Sequence, residues 1–409
     1  MELINEELLF FLYMLIPLIM LFQTVPILKT AGTGTHDQVN GQARTLNILY
    51  TGGVHGELEP CPCSPKTDFG GVVRRAGYIA EHQKMLSPYI LLDAGNFLGK
   101  DTPQGRLKAE AMLKSFSIMK YDAVAFLKME KEFPYSFLSG LLEKYKIPVI
   151  SDMPQYRQSI LTKRNALNIN ISVNPMNYQK GKLNILLTDK PISEIKHVKG
   201  WNIIILSTGE ILAEPLKANG TIIVSGYPKG ERLGILTLQV DSGGEILGFK
   251  HRWQPLGKDI KEDINVRKVL NEYDARVATL LKDDSKPLVN ISYLGVSKCA
   301  ECHQPFVERW KETKHARAFS SLERVGKSAD PECIKCHTVG FGKKGGFHSV
   351  KTTPMLTNVQ CEACHGPGRE HVLDFSKPMQ TVTESVCLKC HIRSTDFNYP
   401  VYLEKIKHK

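Results

Sequence analysis

The sequence has no solenoid-type period, no collagen-like glycine repeat and no composition of the disordered class; its 42% hydrophobic and 23% charged residues are ordinary for a globular protein. Basic residues exceed acidic ones, 53 to 42, a formal charge of +11. Basic and aromatic residues are not interleaved along any groove-forming stretch, so nucleic acid is not the expected partner. Cysteine is missing from most of the chain. Two of the ten stand at Cys61 and Cys63, and the other eight lie between Cys299 and Cys390. A length of 409 residues suggests two or three domains and is ample for a buried core.

The eight clustered cysteines form one pattern four times: Cys299–Cys302–His303, Cys333–Cys336–His337, Cys361–Cys364–His365 and Cys387–Cys390–His391. Each copy is C-x-x-C-H, which reads as c-type haem attachment. Two thiols at this spacing add to the two vinyl groups of one haem. The adjacent imidazole then becomes the proximal iron ligand. Paired C-x-x-C motifs also build zinc sites, but those need no histidine after every second cysteine. The expectation is four covalently attached haem c groups. First cysteines are 34, 28 and 26 residues apart. Uneven spacing suits haems packed individually. From Cys299 onward, 17 Lys/Arg face 12 Asp/Glu. That surplus of five is read as compensation for haem propionates.

Residues 8–22 carry no charge, and with 23–28 the apolar run reaches about the length of a membrane anchor. Glu2, Glu6 and Glu7 make the preceding region acidic, and no cysteine follows closely enough for lipidation. Residues 1–30 are read as a signal peptide or anchor, the latter giving a membrane contact. Covalent haem is attached outside the cytoplasm in bacteria, so a periplasmic or extracytoplasmic location is expected.

Residues 31–44 read as a spacer. From 45 to 283, short apolar runs alternate with helical stretches, which argues an α/β layered domain. Strands are expected at 46–50, 90–92, 123–127, 148–150, 183–187, 201–206, 221–225, 233–240 and 246–253. Helices are expected at 77–85, 107–119, 136–145 and 264–281. Residues 284–297 read as a linker, and 298–409 as a mainly helical or irregular haem domain.

The first domain resembles the 5′-nucleotidase/UDP-sugar hydrolase branch of the calcineurin-like metallophosphatases. The resemblance rests on Asn47–Pro60, Gly70-Gly71 with Arg74-Arg75, Leu91–Asn96, Tyr121–Val124 and Val224–Gly234. It implies two packed β-sheets flanked by helices, and a two-metal phosphoesterase site. The ligand positions are poorly kept. Gly53 stands where an Asp is needed, Lys128 and Met129 replace an Asn and the catalytic His, and Ser207–Glu210 replace late histidines. His55, Asp93 and Glu130 are retained. The resemblance therefore implies the fold without phosphatase chemistry. Cys61 and Cys63 read as a redox-active dithiol, a soft-metal pair with His55, two partly buried thiols, or a labile disulfide.

From Tyr293 to about Ile392 the chain resembles the tetrahaem cytochromes of nitrifying and metal-respiring bacteria. The similarity extends beyond the motifs to Trp310–Phe319, Cys336–Phe341 and Val359–His371. It implies His315 and His371 as distal iron ligands, with His348 a weaker candidate; His408 reads as part of a tail. The expected function is electron carriage between redox partner proteins in a respiratory chain, with the first domain a structural or docking module. Alternatives are a haem enzyme with one open iron acting on a small nitrogen compound, and an active nucleotidase.

Overall fold

The computed structural model describes residues 43–60, 68–281, 292–391 and 397–407. Cys61 and Cys63, the apolar segment 8–28, most of the linker and His408 lie outside the described residues. The chain divides at Gly41, and Gln42–Lys409 is one compact unit. Among the described residues no helix is long and apolar enough to cross a membrane.

The first domain has twelve strands: β1 Arg44–Thr51, β2 Tyr89–Asp93, β3 Ala123–Phe126, β4 Val149–Ser151, β5 Ser159–Arg164, β6 Leu167–Ser172, β7 Leu183–Thr188, β8 Ile203–Leu206, β9 Leu216–Ala218, β10 Thr221–Ser225, β11 Arg232–Val240 and β12 Ile246–Pro255. They form two six-stranded sheets, ordered β12-β11-β1-β2-β3-β4 and β5-β6-β7-β8-β10-β9. β1 to β4 run parallel, and β11 and β12 join antiparallel. In the second sheet, β6, β7, β8 and β10 are parallel between antiparallel edges. The helices of this domain include α1 Val72–Glu81, α2 Pro103–Met119, α3 Tyr135–Tyr145 and α4 Ile264–Val277.

Alternation along the strands builds the layers. Leu46, Ile48, Tyr50, Ile90 and Leu92 face Ile169, Ile171, Ile185, Ile203 and Ile205 between the sheets. Leu49, Leu91, Val124 and Phe126 pack outward on α1 to α4. Strands buried on both faces read as near-continuous apolar runs, which is why most were legible. Each Leu or Ile fully buried here contributes about 1.5–3 kcal/mol. Helix starts follow local chemistry. Thr102 caps α2 through Gly105 N (2.9 Å) with Pro103 in the first turn, and Asp263 caps α4 through the N–H groups of Asn265 and Val266.

Beyond residue 292 the structure consists of short helices and loops. Named in order, they include α5 Val296–Glu312, α6 Ala318–Arg324, α7 Pro331–His337, α8 Cys361–His365, α9 Arg369–Leu373, α10 Glu384–Cys387 and α11 Tyr399–Ile406. Their shared core is small: Phe319, Leu322, Ile334, Val339, Phe347 and Leu356. Such a segment buries little apolar surface of its own, as expected where a cofactor supplies much of the core.

Candidate functional site

Each C-x-x-C-H copy lies on or at the end of a helical turn. Cys299 and Cys302 sit on α5, Cys333, Cys336 and His337 on α7, and Cys361, Cys364 and His365 on α8. Cys387 ends α10, and Cys390 and His391 follow in the next turn. Residues three apart on a helix share a face, so each of the first three thiol pairs points to one side. In α5 the backbone leaves helical values at His303 (φ −118°, ψ 34°), with Pro305 two residues on. Proline removes a backbone donor and disfavours the helical conformation just before it.

Four of the histidines come together in pairs. The rings of His303 and His371 have centres 6.5 Å apart, and those of His315 and His391 are 6.3 Å apart. A metal–imidazole nitrogen bond is about 2.0 Å and the ring centre lies about 1 Å behind the nitrogen, so two imidazoles on opposite faces of one iron have centres about 6 Å apart. The pairs have that spacing. His371 Nδ1 lies 2.8 Å from Lys377 O, and His337 Nδ1 lies 2.6 Å from Ala318 O. A backbone carbonyl at Nδ1 selects the tautomer that leaves Nε2 as the ligand atom. Burial lowers the pKa of both His315 and His391, with His391 and His337 adding to the effect on His315. The shift favours the neutral form that binds metal.

Apolar side chains flank the first pair. Phe306 lies 5.9 Å from His303 and Phe375 lies 6.0 Å from His371, ring centre to ring centre. Phe306, Leu373 and Phe375 are 42%, 71% and 73% exposed, an apolar skin of the kind a porphyrin covers. A four-cysteine zinc site is not formed: among the described residues, no three or more His, Cys, Asp or Glu gather to hold a metal ion. The residues present fit haem.

The motifs adjoin out of sequence order. The Cys299 side chain lies beside that of Cys361, and the Cys390 side chain beside that of Cys336. Cys364 lies within electrostatic reach of Cys387. The succession is therefore first, third, fourth, second. Glu362, an unspecified position inside the third motif, is 2% exposed and accepts from Leu294 N, Gly295 N and Gly368 N at 2.7–3.0 Å. It ties the third attachment helix to the start of the first, a role the motif pattern does not reveal. His348 lines a cavity of about 300 Å³ with Leu280, Leu281, Phe341 and Phe347, and none of the four paired histidines lines it.

In the first domain, the ends of β1 and β2 and the loops after β3, β8 and β10 meet. Gly53 (φ +67°) and His55 (φ +53°) shape the loop after β1. A Cβ on Gly226 would stand 2.4 Å from Gly52 O, so only glycine lets these loops meet. Asp93 does not serve as the retained ligand that the sequence suggested. Its oxygens take Thr51 Oγ1 (2.6 Å) and Gly95 N (2.9 Å), and burial pushes its carboxyl up to about 6 against those bonds and the nearby Arg75. Asn96, three residues on, donates to Ser207 O (3.0 Å) and accepts from Met129 N (3.0 Å). Glu130 is also committed. It is fully buried and accepts from the N–H groups of Asn96, Phe97, Leu98 and Leu127 at 2.8–3.0 Å. The retained acids serve the backbone.

The sequence model of the cytochrome c554 and c-prime family matches residues 298–366. Cytochrome c-554 of Nitrosomonas europaea is 41% identical over 106 residues, which covers 22% of this chain and 45% of the relative. The chain thus matches less than half the length of that curated relative. A 5′-nucleotidase precursor from Thermus thermophilus superposes with a TM-score of 0.52 at 15% identity, covering 76% of this chain and 74% of that one. The NAD nucleotidase of Haemophilus influenzae gives 0.50 at 16% identity, covering 62% and 64%. The haem-motif segment is thus similar in sequence to cytochrome c554, a covalent haem c protein. The first domain shares the metallophosphatase fold of the 5′-nucleotidases.

Proposed function

We propose that the chain is an extracytoplasmic tetrahaem c-type cytochrome that carries electrons between redox partner proteins of a respiratory chain, with the first domain as a scaffold. One observation carries this reading: two histidine pairs from separate elements face each other at the spacing of two imidazoles across an iron. Haem supplies reversible one-electron chemistry when bound. The chain's own residues do the rest. The thiols of each C-x-x-C fix the macrocycle, and His303, His337, His365 and His391 give proximal nitrogens. His371, paired with His303, and His315, paired with His391, would supply the second imidazole to those two centres. The motifs adjoin in the order first, third, fourth, second, and the groups they hold would neighbour one another in that order.

The meeting loops of the first domain support this division of labour. Asn96 is neutral, Gly53 offers no side chain, and Lys128 and Met129 stand where an amide and a base are required. Two hard cations need several carboxylate or imidazole ligands. On this reading the N-terminal apolar segment delivers the chain across the membrane or holds it there.

The test is an EPR spectrum and potentiometric titration of the full-length ferric protein. Low-spin signals for the centres of His303 and His391, with reversible reduction, are expected; wholly high-spin iron overturns the reading. Carbon monoxide added to the reduced protein separates a carrier from a haem enzyme acting on a small nitrogen compound. A carrier with every iron closed on both faces binds none, whereas binding at one centre favours the enzyme.

A further inference from the structure

Hydrogen bonds and ion pairs from the first domain gather on six residues of the haem segment, Lys327 to Glu332. Gln104, at the start of α2, is 6% exposed. Its Nε2 donates to Asp330 Oδ1 at 2.7 Å and to Tyr273 Oη on α4 at 3.0 Å. Asp330 caps α7. The same Oδ1 accepts from Glu332 N at 2.9 Å, and the Asp330 carbonyl accepts from Cys333 N and Ile334 N. One turn further along α2, Lys108 pairs with Glu332 at 2.6 Å. From the other side Lys327 pairs with Asp274 on α4 at 2.5 Å and with Glu59 at 3.1 Å, and Glu59 also takes Arg267 at 2.6 Å. The Asp330 N–H closes the loop onto Lys327 O at 3.1 Å.

We infer that Gln104 is a positioning residue for the second haem, acting through Asp330 to fix the helix that carries Cys333, Cys336 and His337. The inference rests on the haem-binding reading proposed above and adds a specific role for the first domain.

Three features support it. First, α7 has only seven residues, too few to be stable without its cap and its packing. Second, all three haem-binding side chains of the motif lie on that helix, so a shift of its start moves both attachment points and the proximal nitrogen together. Third, the contacts are partly buried: the Lys108, Lys327 and Glu59 side chains are 14%, 21% and 25% exposed. Charge-assisted bonds in such places are stronger and more directional than exposed pairs. At the other end of α7, His337 Nδ1 is held by Ala318 O and Ile334 is fully buried. The helix is thus clamped at its start by the first domain and at its end by the haem segment. A haem whose proximal ligand is held this way has its ligand orientation, and hence its potential, set partly by the fused domain.

The experiment uses the full-length holoprotein. Total haem is first counted in the parent by pyridine haemochrome; absence of covalent haem defeats the underlying reading and is distinguishable from failure of the inference. EPR spectra and redox titrations are then recorded for Gln104→Leu, Asp330→Ala and the double variant. His337→Ala identifies the signal of the second centre. The expected result is a shift in the signal and midpoint potential of that centre alone, with haem count retained. Gln104→Leu should add nothing in the Asp330→Ala background, the signature of action through Asp330. Lys108→Ala, a milder cut of the same seam, should move the same signal by less, and serves if Gln104→Leu does not fold. Equal shifts at all centres, additive effects in the double variant, or unchanged spectra in folded variants each overturn the inference.

Discussion

Replacing Glu130 by Gln tests whether the first domain has turned a family acid into a structural one. The glutamate oxygens divide four backbone donors between them: Phe97 N and Leu98 N on one, Asn96 N and Leu127 N on the other. Gln keeps the shape and one carbonyl oxygen but puts an NH₂ where the second pair of N–H groups needs an acceptor. Two buried donors lose their partners at about 1–3 kcal/mol each, roughly 4 kcal/mol together. A domain of this size has a total stability of about 5–15 kcal/mol. At about 2–4 °C per kcal/mol, the melting midpoint should fall by about 8–16 °C. Circular dichroism in the strand and helix region measures it, with Soret absorbance recorded in parallel. A fall of under about 2 °C, well short of the 1 kcal/mol range, would refute the assignment. Retention of the fold together with loss of a bound metal would point back to a ligand role.

Three further outcomes follow from the same geometry. His315→Ala should turn the His391 centre from low to high spin while covalent haem is retained, read by EPR; a spectrum superimposable on that of the parent removes His315 from the ligand set. Purified protein supplied with divalent metal should not hydrolyse a 5′-nucleotide above a no-enzyme control, because Gly53, Asn96, Lys128 and Met129 hold the positions that need ligands and a base. Asp93 should make folding pH-dependent. Its ordinary value of 3.8 rises to about 6 in the folded state, so that state binds the proton more tightly. The contribution is fully present below about pH 4 and is lost as pH rises through about 6, amounting to about 3 kcal/mol. Denaturant midpoints across that window should vary less steeply in Asp93→Asn, with Glu130, pushed up to about 7 by burial, keeping the rest of the slope; an unchanged slope would count against it.

The doubly buried strands were legible because apolar runs of four or five residues have no other use in a soluble α/β domain. β5 and β6 were not, since Leu167–Ser172 alternates apolar residues with Asn. Asn170 is fully buried and bonds to Asn184 Oδ1 and Asn177 O, a network that hydropathy reads as a loop. The turn between them, Asn165 and Ala166 at φ +48° and +60°, lacks the glycine that usually marks such a hairpin. Asp93 and Asn96 could not be ranked from sequence because they stand either side of the point where β2 ends; Asn96, at φ +54°, turns towards Ser207 and Met129. The four C-x-x-C-H motifs were plain from spacing alone. Which imidazole meets which was not, because His371 reaches His303 across 68 residues and His391 reaches His315 across 76. Glu362 reads as filler until Leu294 and Gly295 are seen to donate to it.

The central claim is that one chain carries four covalent haems on a segment fixed to a phosphoesterase-like scaffold. Intact-mass spectrometry of the denatured, fully matured protein tests it most directly. The account predicts four haem additions, with peptide mapping assigning one each to Cys299/Cys302, Cys333/Cys336, Cys361/Cys364 and Cys387/Cys390. A matured protein with fewer than four additions, or with zinc in place of haem, would contradict it.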